Sequence, residues 1–196
     1  MFKNIEAVFF DLDGTLVDSR LDFDLMRKDL CFPKDVPILE YLDTLLDENQ
    51  IKLSNEIIVE HEIKGANVST LFDGVKEYLE LLEINNIKTG ILTRNCRIAT
   101  DLTLKRLNIS MDSVLTRECF PAKPNPAALN HLAAKYSVDV KKSIYIGDFE
   151  FDIDTAKNAG MISGLFVNKS NTHLKSKADF SFKSFRDLPH LIQFQR

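Results

Sequence analysis

Ala7-Val8-Phe9-Phe10-Asp11-Leu12-Asp13-Gly14-Thr15-Leu16 runs from an unbroken apolar segment straight into two carboxylates. Consecutive apolar residues without polar alternation suit a strand buried on both faces, and Gly14 gives the chain a sharp exit from it. Asp11 and Asp13 are therefore expected together at a strand's carboxyl end, where open α/β sheets bind their ligands. Like charges this close repel and raise each other's pKa unless a cation or hydrogen-bond donors hold them ionised. The pair thus implies a metal or a shared proton.

Outward from this stretch the pattern first leaves the sheet. Residues 20–30, 37–49 and 54–67 read as three helices, punctuated by Pro33, Pro37 and Ser54-Asn55. Ile38, Leu42, Leu45 and Leu46 form one apolar stripe. Ser54 is the expected N-cap of the third helix, with Ile57, Ile58 and Ile63 on its buried face. From Gly74 helices and strands alternate: helix 74–85, strand 88–93, helix 97–107, strand 113–116 and helix 126–136. Strand 143–148, helix 152–159 closed by Gly160, strand 162–167 and a last strand near 178–182 complete the pattern. Such alternation predicts right-handed crossovers and an α/β fold with a Rossmann-like, mainly parallel sheet covered by helices on both faces. The expected division is a core of residues 1–16 and 73–196 with an all-helical cap of 17–72 inserted after the first strand.

The 196 residues are 44% hydrophobic, enough for a substantial core plus a modest insertion. The net charge of −4 comes without a basic block, so nucleic acid is not an expected partner. Cys31, Cys96 and Cys119 are odd in number and irregularly spaced, which suits reduced thiols in a cytoplasmic protein better than a disulfide framework or a zinc site. No segment reads as a signal peptide or a membrane span, and nothing in the pattern indicates an oligomeric state.

Several strands end in groups suited to phosphate: Asp11 with Asp13 and Thr15, Thr93 with Arg94 and Asn95, and Asp148 with Asp152, while the loop around Lys123 supplies a cation. These residues, in this order, resemble the four motifs of the haloacid dehalogenase-like hydrolase superfamily in its phosphatase branch. Asp11-Leu12-Asp13-Gly14-Thr15-Leu16 resembles the first motif and Thr93 the second. Lys123 in Ala122-Lys123-Pro124-Asn125-Pro126 resembles the third, and Gly147-Asp148 with Asp152 the fourth. The helical insertion is similar to the small cap of phosphoglycolate phosphatase and phosphoglucomutase relatives.

The resemblance implies a Mg²⁺-dependent phosphatase of small phosphorylated metabolites, with phosphoglycolate the first substrate to consider. Each role also has a chemical reason. Asp11 is the expected nucleophile, because a carboxylate in line with phosphorus can form an aspartyl-phosphate and divide one hard displacement into two. Asp13 is the expected general acid and then general base. Mg²⁺ would be held by Asp11, the backbone carbonyl of Asp13, and Asp148. Thr15, Thr93, Asn95 and Lys123 are the expected phosphate-binding side chains, and Asp152 would orient Lys123 or act through water.

Competing readings stand beside these. Asp152 could simply cap the helix it begins. Arg20, Arg27, His61 and Lys64 read as ordinary surface or ion-paired helix positions, Arg94 as a substrate contact or a surface pair, and Cys96 as a buried inert thiol. Phe149 and Phe151 are expected to pack against core and loop. A phosphomutase acting on a sugar phosphate would use the same intermediate but needs a cap that excludes water more fully. A binding or regulatory protein that keeps the fold without turnover is the alternative from another class.

Overall fold

The computed structural model describes residues 1–194. After β1 (Phe2–Ile5), strand β2 (Ala7–Phe10) leads into the Asp11 turn. Then follow β3 (Val17–Asp18), α1 (Phe23–Asp29), α2 (Ile38–Leu42), α3 (Glu48–Val68) and β4 (Thr70–Leu71). The alternating part comprises α4 (Val75–Ile84), β5 (Lys88–Leu92), α5 (Arg97–Leu107), β6 (Ser113–Leu115), α6 (Ala127–Tyr136), β7 (Ser143–Gly147), α7 (Glu150–Asn158) and β8 (Ile162–Phe166). Strand β9 (Phe180–Phe182), α8 (Leu188–Leu191) and β10 (Ile192–Phe194) follow. The main sheet has six strands in the order β6-β5-β2-β7-β8-β9, all parallel, so the α/β architecture is the one expected.

Strand β2 lies in the middle of that sheet, paired on one side with β5 and on the other with β7. Every one of its residues is fully buried, and they divide by parity as the pleat requires. Val8 and Phe10 enter a core layer with Tyr78 of α4 and Phe185, whereas Ala7 and Phe9 enter a second layer with Leu129 and Leu132 of α6 and Ala156 of α7. Burial on both faces leaves the strand's polar exit as the place where the chain can meet solvent.

The helical insertion emerges from the carboxyl side of β2 and returns through an antiparallel pair, Val17 with Leu71 and Asp18 with Thr70. Met26, Leu30, Phe32, Ile38, Leu42 and Ile58 give it an apolar cluster of its own. Its helix boundaries differ from those expected. The third helix starts at Glu48, because the Asp47 carboxylate accepts the backbone N–H groups of Asn49 (2.8 Å) and Gln50 (3.0 Å). Ser54 is therefore buried inside that helix and caps nothing. The second helix is only five residues long, and Leu46, expected on its apolar stripe, is 96% exposed in the loop before α3. The imperfect spacing of the isoleucines on α3 reflects two partners: Ile57 and Ile58 join the insertion's cluster, while Ile63 packs with Ala66, Cys96 and Ala99 against α5.

The small parallel sheet of β1 and β10 was not anticipated, since strands of three or four residues carry too little periodicity to register. Among the described residues no helix is long and apolar enough to cross a membrane. The helix start predicts that Asp47→Ala costs about 1 kcal/mol of unfolding free energy. Urea denaturation followed by circular dichroism checks this, with Ser54→Ala, which removes no cap, expected to cost less than half as much.

Candidate active site

Asp11 continues β2 by one residue, its N–H donating to the Ile146 carbonyl of β7 (2.8 Å). The next residues turn sharply: the N–H groups of Leu16 and Val17 return to the Leu12 carbonyl, and Gly14 N–H donates to Val17. Gly14 sits at φ +80°, and a Cβ there would lie 2.6 Å from Asp148 Oδ2. Only glycine lets this turn pass so close to the end of the neighbouring strand.

Lys123 closes the floor of the site. Its Nζ donates to Asp11 Oδ1 (2.6 Å) and Asp152 Oδ1 (2.6 Å), with the Tyr145 hydroxyl at 3.2 Å and the Leu92 carbonyl at 3.4 Å. The loop that carries Lys123 is tied to α7 by Asn158, whose side-chain amide donates to the Pro124 carbonyl (3.0 Å). Burial by itself would lower the Lys123 pKa, but Asp11 and Asp152 outweigh it and hold the ammonium charged. Asp152 joins Lys123 to the start of α7. Its Oδ1 meets Lys123 while its Oδ2 accepts the Phe149 N–H (3.0 Å) at the start of α7.

Asp148, at the end of β7, is held by two residues that the sequence reading missed. Asn168 Nδ2 donates to its Oδ2 (3.1 Å), and Asn171 Nδ2 donates to its carbonyl (2.7 Å). The available signal was their place in the loop after β8, at the same carboxyl edge as the other strands' polar ends. Burial, reinforced by Asp11 and Asp152, pushes Asp148 up to about 8. Burial likewise raises Asp11 above the usual carboxylate range, with Lys123 opposing. Asp13 is pushed up to about 6 by burial, against a hydrogen bond from Ser19 and with the Glu62 charge adding to the rise.

Asp11, Asp148 and Asp152 each offer a carboxylate oxygen, and these atoms lie within 4.8 Å of one another. Because both Asp152 oxygens already accept hydrogen bonds, Asp11 and Asp148 are the better placed direct ligands. The donors are all hard oxygens, and Cys96, beside the site, is a buried thiol pushed up to about 11 by burial; the set fits Mg²⁺ and not a thiophilic metal.

Thr93 follows β5, is almost fully buried and lines the cavity, its hydroxyl accepting the Asn95 N–H (3.1 Å). Two expected phosphate contacts are placed differently. Thr15 is fully buried behind the turn, outside the cavity wall, and its hydroxyl has no partner among the described residues. Asn95 donates from its side-chain amide to Asp13 Oδ2 (2.5 Å) and so orients that carboxylate. Arg94 pairs with Glu40 of α2 (2.7 Å) and stacks on Phe151, with its guanidinium carbon 5.0 Å from the ring centroid. His61 pairs with Asp29 and Lys64 with Glu60, and Arg27 is bound to Asp24 and to the Val36 carbonyl. Phe149 departs from expectation, being 55% exposed in the cavity wall.

A third feature missed from sequence is Glu62 of α3, a buried carboxylate that accepts the Cys96 N–H (3.0 Å) and pairs with Arg117, which also donates to the Arg94 carbonyl. It joins the insertion to the strand ends directly above Asp13.

These strand ends gather around one lysine at the carboxyl edge of the sheet, and the sequence pattern that spans them is that of a known family. The chain belongs to the haloacid dehalogenase-like hydrolase family, whose sequence pattern matches residues 8–165. Its relatives include an uncharacterized hydrolase of Saccharomyces cerevisiae, 32% identical with 97% of this chain and 92% of that protein covered. A phosphoglycolate phosphatase of Vibrio parahaemolyticus is 29% identical over 97% of each chain. Among solved structures, the β-phosphoglucomutase of Clostridium difficile superposes with a TM-score of 0.76 at 24% identity, covering 94% of this chain and 93% of that one.

The raised Asp148 pKa gives a stability test with a defined sign. A carboxyl raised from 3.8 to about 8 on folding contributes its stabilisation fully below pH 4 and loses it as pH climbs through about 8. In chelator, Asp148→Asn is thus expected to raise the melting temperature at pH 8.5 and to change it little at pH 4. Lys123→Met strands Asp11 and Asp152 without their cation and is expected to cost about 3–5 kcal/mol at neutral pH. Chemical denaturation checks the lysine variant, and scanning fluorimetry the aspartate variant.

Proposed function

We propose that the protein is a Mg²⁺-dependent phosphatase that hydrolyses phosphomonoesters of small metabolites through an aspartyl-phosphate on Asp11. The observation that carries this reading is the Lys123 ammonium 2.6 Å from Asp11, with an Asp148 oxygen close enough to share one cation with it. The names of several relatives, phosphoglycolate phosphatases, support the reaction class and make phosphoglycolate the reference substrate.

Lys123 holds Oδ1 of Asp11, which leaves Oδ2 to attack phosphorus. Asp13, with its pKa raised to about 6, can carry the proton that the departing alcohol oxygen takes up. Once the alcohol has left, the same Asp13 carboxylate takes a proton from a water molecule. That water's oxygen bonds to phosphorus, the bond to Asp11 breaks, and inorganic phosphate is released. The Asn95 amide keeps Asp13 facing this line of action. Thr93 and Lys123 remain the phosphate contacts, and Thr15 drops out because its side chain does not reach the cavity. Held by Asp11, Asp148 and the Asp13 carbonyl, Mg²⁺ would neutralise charge on the phosphoryl oxygens.

In this reading the helical insertion of residues 17–72 acts as the cap. It lines the cavity opposite the strand ends and is held to them by Glu62 and by the Arg94–Glu40 pair, placed to limit water around the reacting phosphoryl group.

Phosphate release from phosphoglycolate and from a generic aryl phosphate tests the proposal. Asp11→Asn is expected to lower kcat by about 10⁴-fold or more, and Asp13→Asn by about 10²–10⁴-fold. Chelation should abolish turnover and added Mg²⁺ restore it. Equal release by wild type and Asp11→Asn would remove the mechanism.

A further inference from the structure

The cavity above Asp11 encloses about 510 Å³, much more than a phosphoryl group occupies, and beyond its catalytic end the wall changes character. Met26, Ile38 and Ile58 of the insertion contribute aliphatic surface. Two aromatic rings line it while staying half exposed: Phe23 at the start of α1 (52%) and Phe149 directly after Asp148 (55%). One comes from the insertion and the other from the core. Phe149 meets Phe151 edge-on, with ring centroids 5.3 Å apart at 80°, and Phe151 in turn carries the Arg94 guanidinium. Phe149 is thus braced by a neighbour without being buried by it, as suits an aromatic side chain that contacts ligand.

The charges in the same wall point the same way. Away from the Asp11–Lys123 cluster it carries Asp18, Asp35, Glu40 and Glu62, against Arg20, Arg27 and Arg94. Arg94 is paired with Glu40, Glu62 with Arg117, and Arg27 is bound to Asp24 and the Val36 carbonyl, which leaves Asp18 and Asp35 against Arg20. A carboxylate on a ligand, in addition to its phosphoryl group, would meet more negative than positive charge there.

Resting on the phosphatase reading, the geometry points to phosphate esters of an uncharged, ring-bearing alcohol as the substrate class, with Phe149 and Phe23 as the side chains that grip the ring. Such esters are preferred over small carboxylated ones such as phosphoglycolate.

Equilibrium binding reads this inference and turnover reads the phosphatase proposal, so the two fail separately. Benzylphosphonate and 3-phosphonopropionate, which are not hydrolysed, are titrated calorimetrically into the full chain with Mg²⁺. Benzylphosphonate is expected to bind at least about tenfold more tightly. Phe149→Ala should weaken benzylphosphonate roughly three- to tenfold and 3-phosphonopropionate less than about twofold. Phe23→Ala provides a second variant with the same expected selectivity, and the exposure of both rings means that neither truncation opens the core. Equal or tighter binding of the carboxylated compound, absent binding of benzylphosphonate, or equal losses for both ligands in both variants overturns the inference. If benzylphosphonate binds preferentially but benzyl phosphate releases no phosphate, the ring preference stands and the phosphatase reading falls.

Discussion

The contact on which the rest depends is the buried lysine that lies between two aspartates from different elements. Lys123, Asp11 and Asp152 are each at most a tenth exposed, and none could be placed there alone, because an unpaired charge in that environment costs several kcal/mol. Their mutual satisfaction fixes the ends of β2 and α7 and the proline-bracketed loop around residue 123 relative to one another. Tyr145 and the Leu92 carbonyl complete the lysine's shell, so β5 and β7 are drawn into the same arrangement. The price of gathering so much negative charge is visible in Asp148, whose proton affinity is raised so far that a cation becomes the natural complement.

A second set of contacts ties the insertion to this floor. Glu62 reaches the N-terminus of α5, Glu40 meets Arg94, and Arg106 donates to the Ala66 carbonyl and to Ser69 at the end of α3. The apolar cluster of Ala66, Cys96 and Ala99 fills the space between the two helices. Polar groups from the insertion therefore approach the strand ends beside Asp13, while its apolar residues face the remainder of the cavity. One end of the cavity gathers the buried carboxylates around Lys123, and the other mixes aliphatic and aromatic side chains with paired charges.

Much of this was legible in the chain. The unbroken apolar run of Ala7–Phe10 announced a doubly buried strand, and Asp11, Asp13, Lys123 and Asp148 announced themselves as polar groups at strand exits or in a stiffened loop. Parallel-sheet geometry then brings such exits to one edge whatever their sequence separation. What escaped were contacts decided by side-chain direction. Asn95 contacts the Asp13 carboxylate, a partner the sequence did not indicate, since spacing says nothing about which way an amide faces. Thr15 lies in the right motif, yet the turn points its hydroxyl inward. Phe149 looked like packing material because a phenylalanine usually is, and only the cavity wall distinguishes an exposed ring from a buried one. Glu62, Asn168 and Asn171 come from segments with no motif at all. In the insertion, Ser54 and Asp47 are both competent caps; the hydrophobic pattern did not discriminate between them, and a carboxylate satisfying two backbone donors won.

The pairing of Glu62 with Arg117 has a consequence for assembly of the fold. A largely desolvated ion pair is close to neutral in free energy compared with its hydrated, separated partners, because dehydration offsets most of the attraction. Such a contact therefore adds little to holding α3 against the core, which falls to the apolar cluster of Ala66, Cys96 and Ala99 and to Arg106. A misaligned docking of α3, however, would leave a bare carboxylate facing the α5 terminus without its arginine. The pair works as an alignment pin, weak as an adhesive and strict about position.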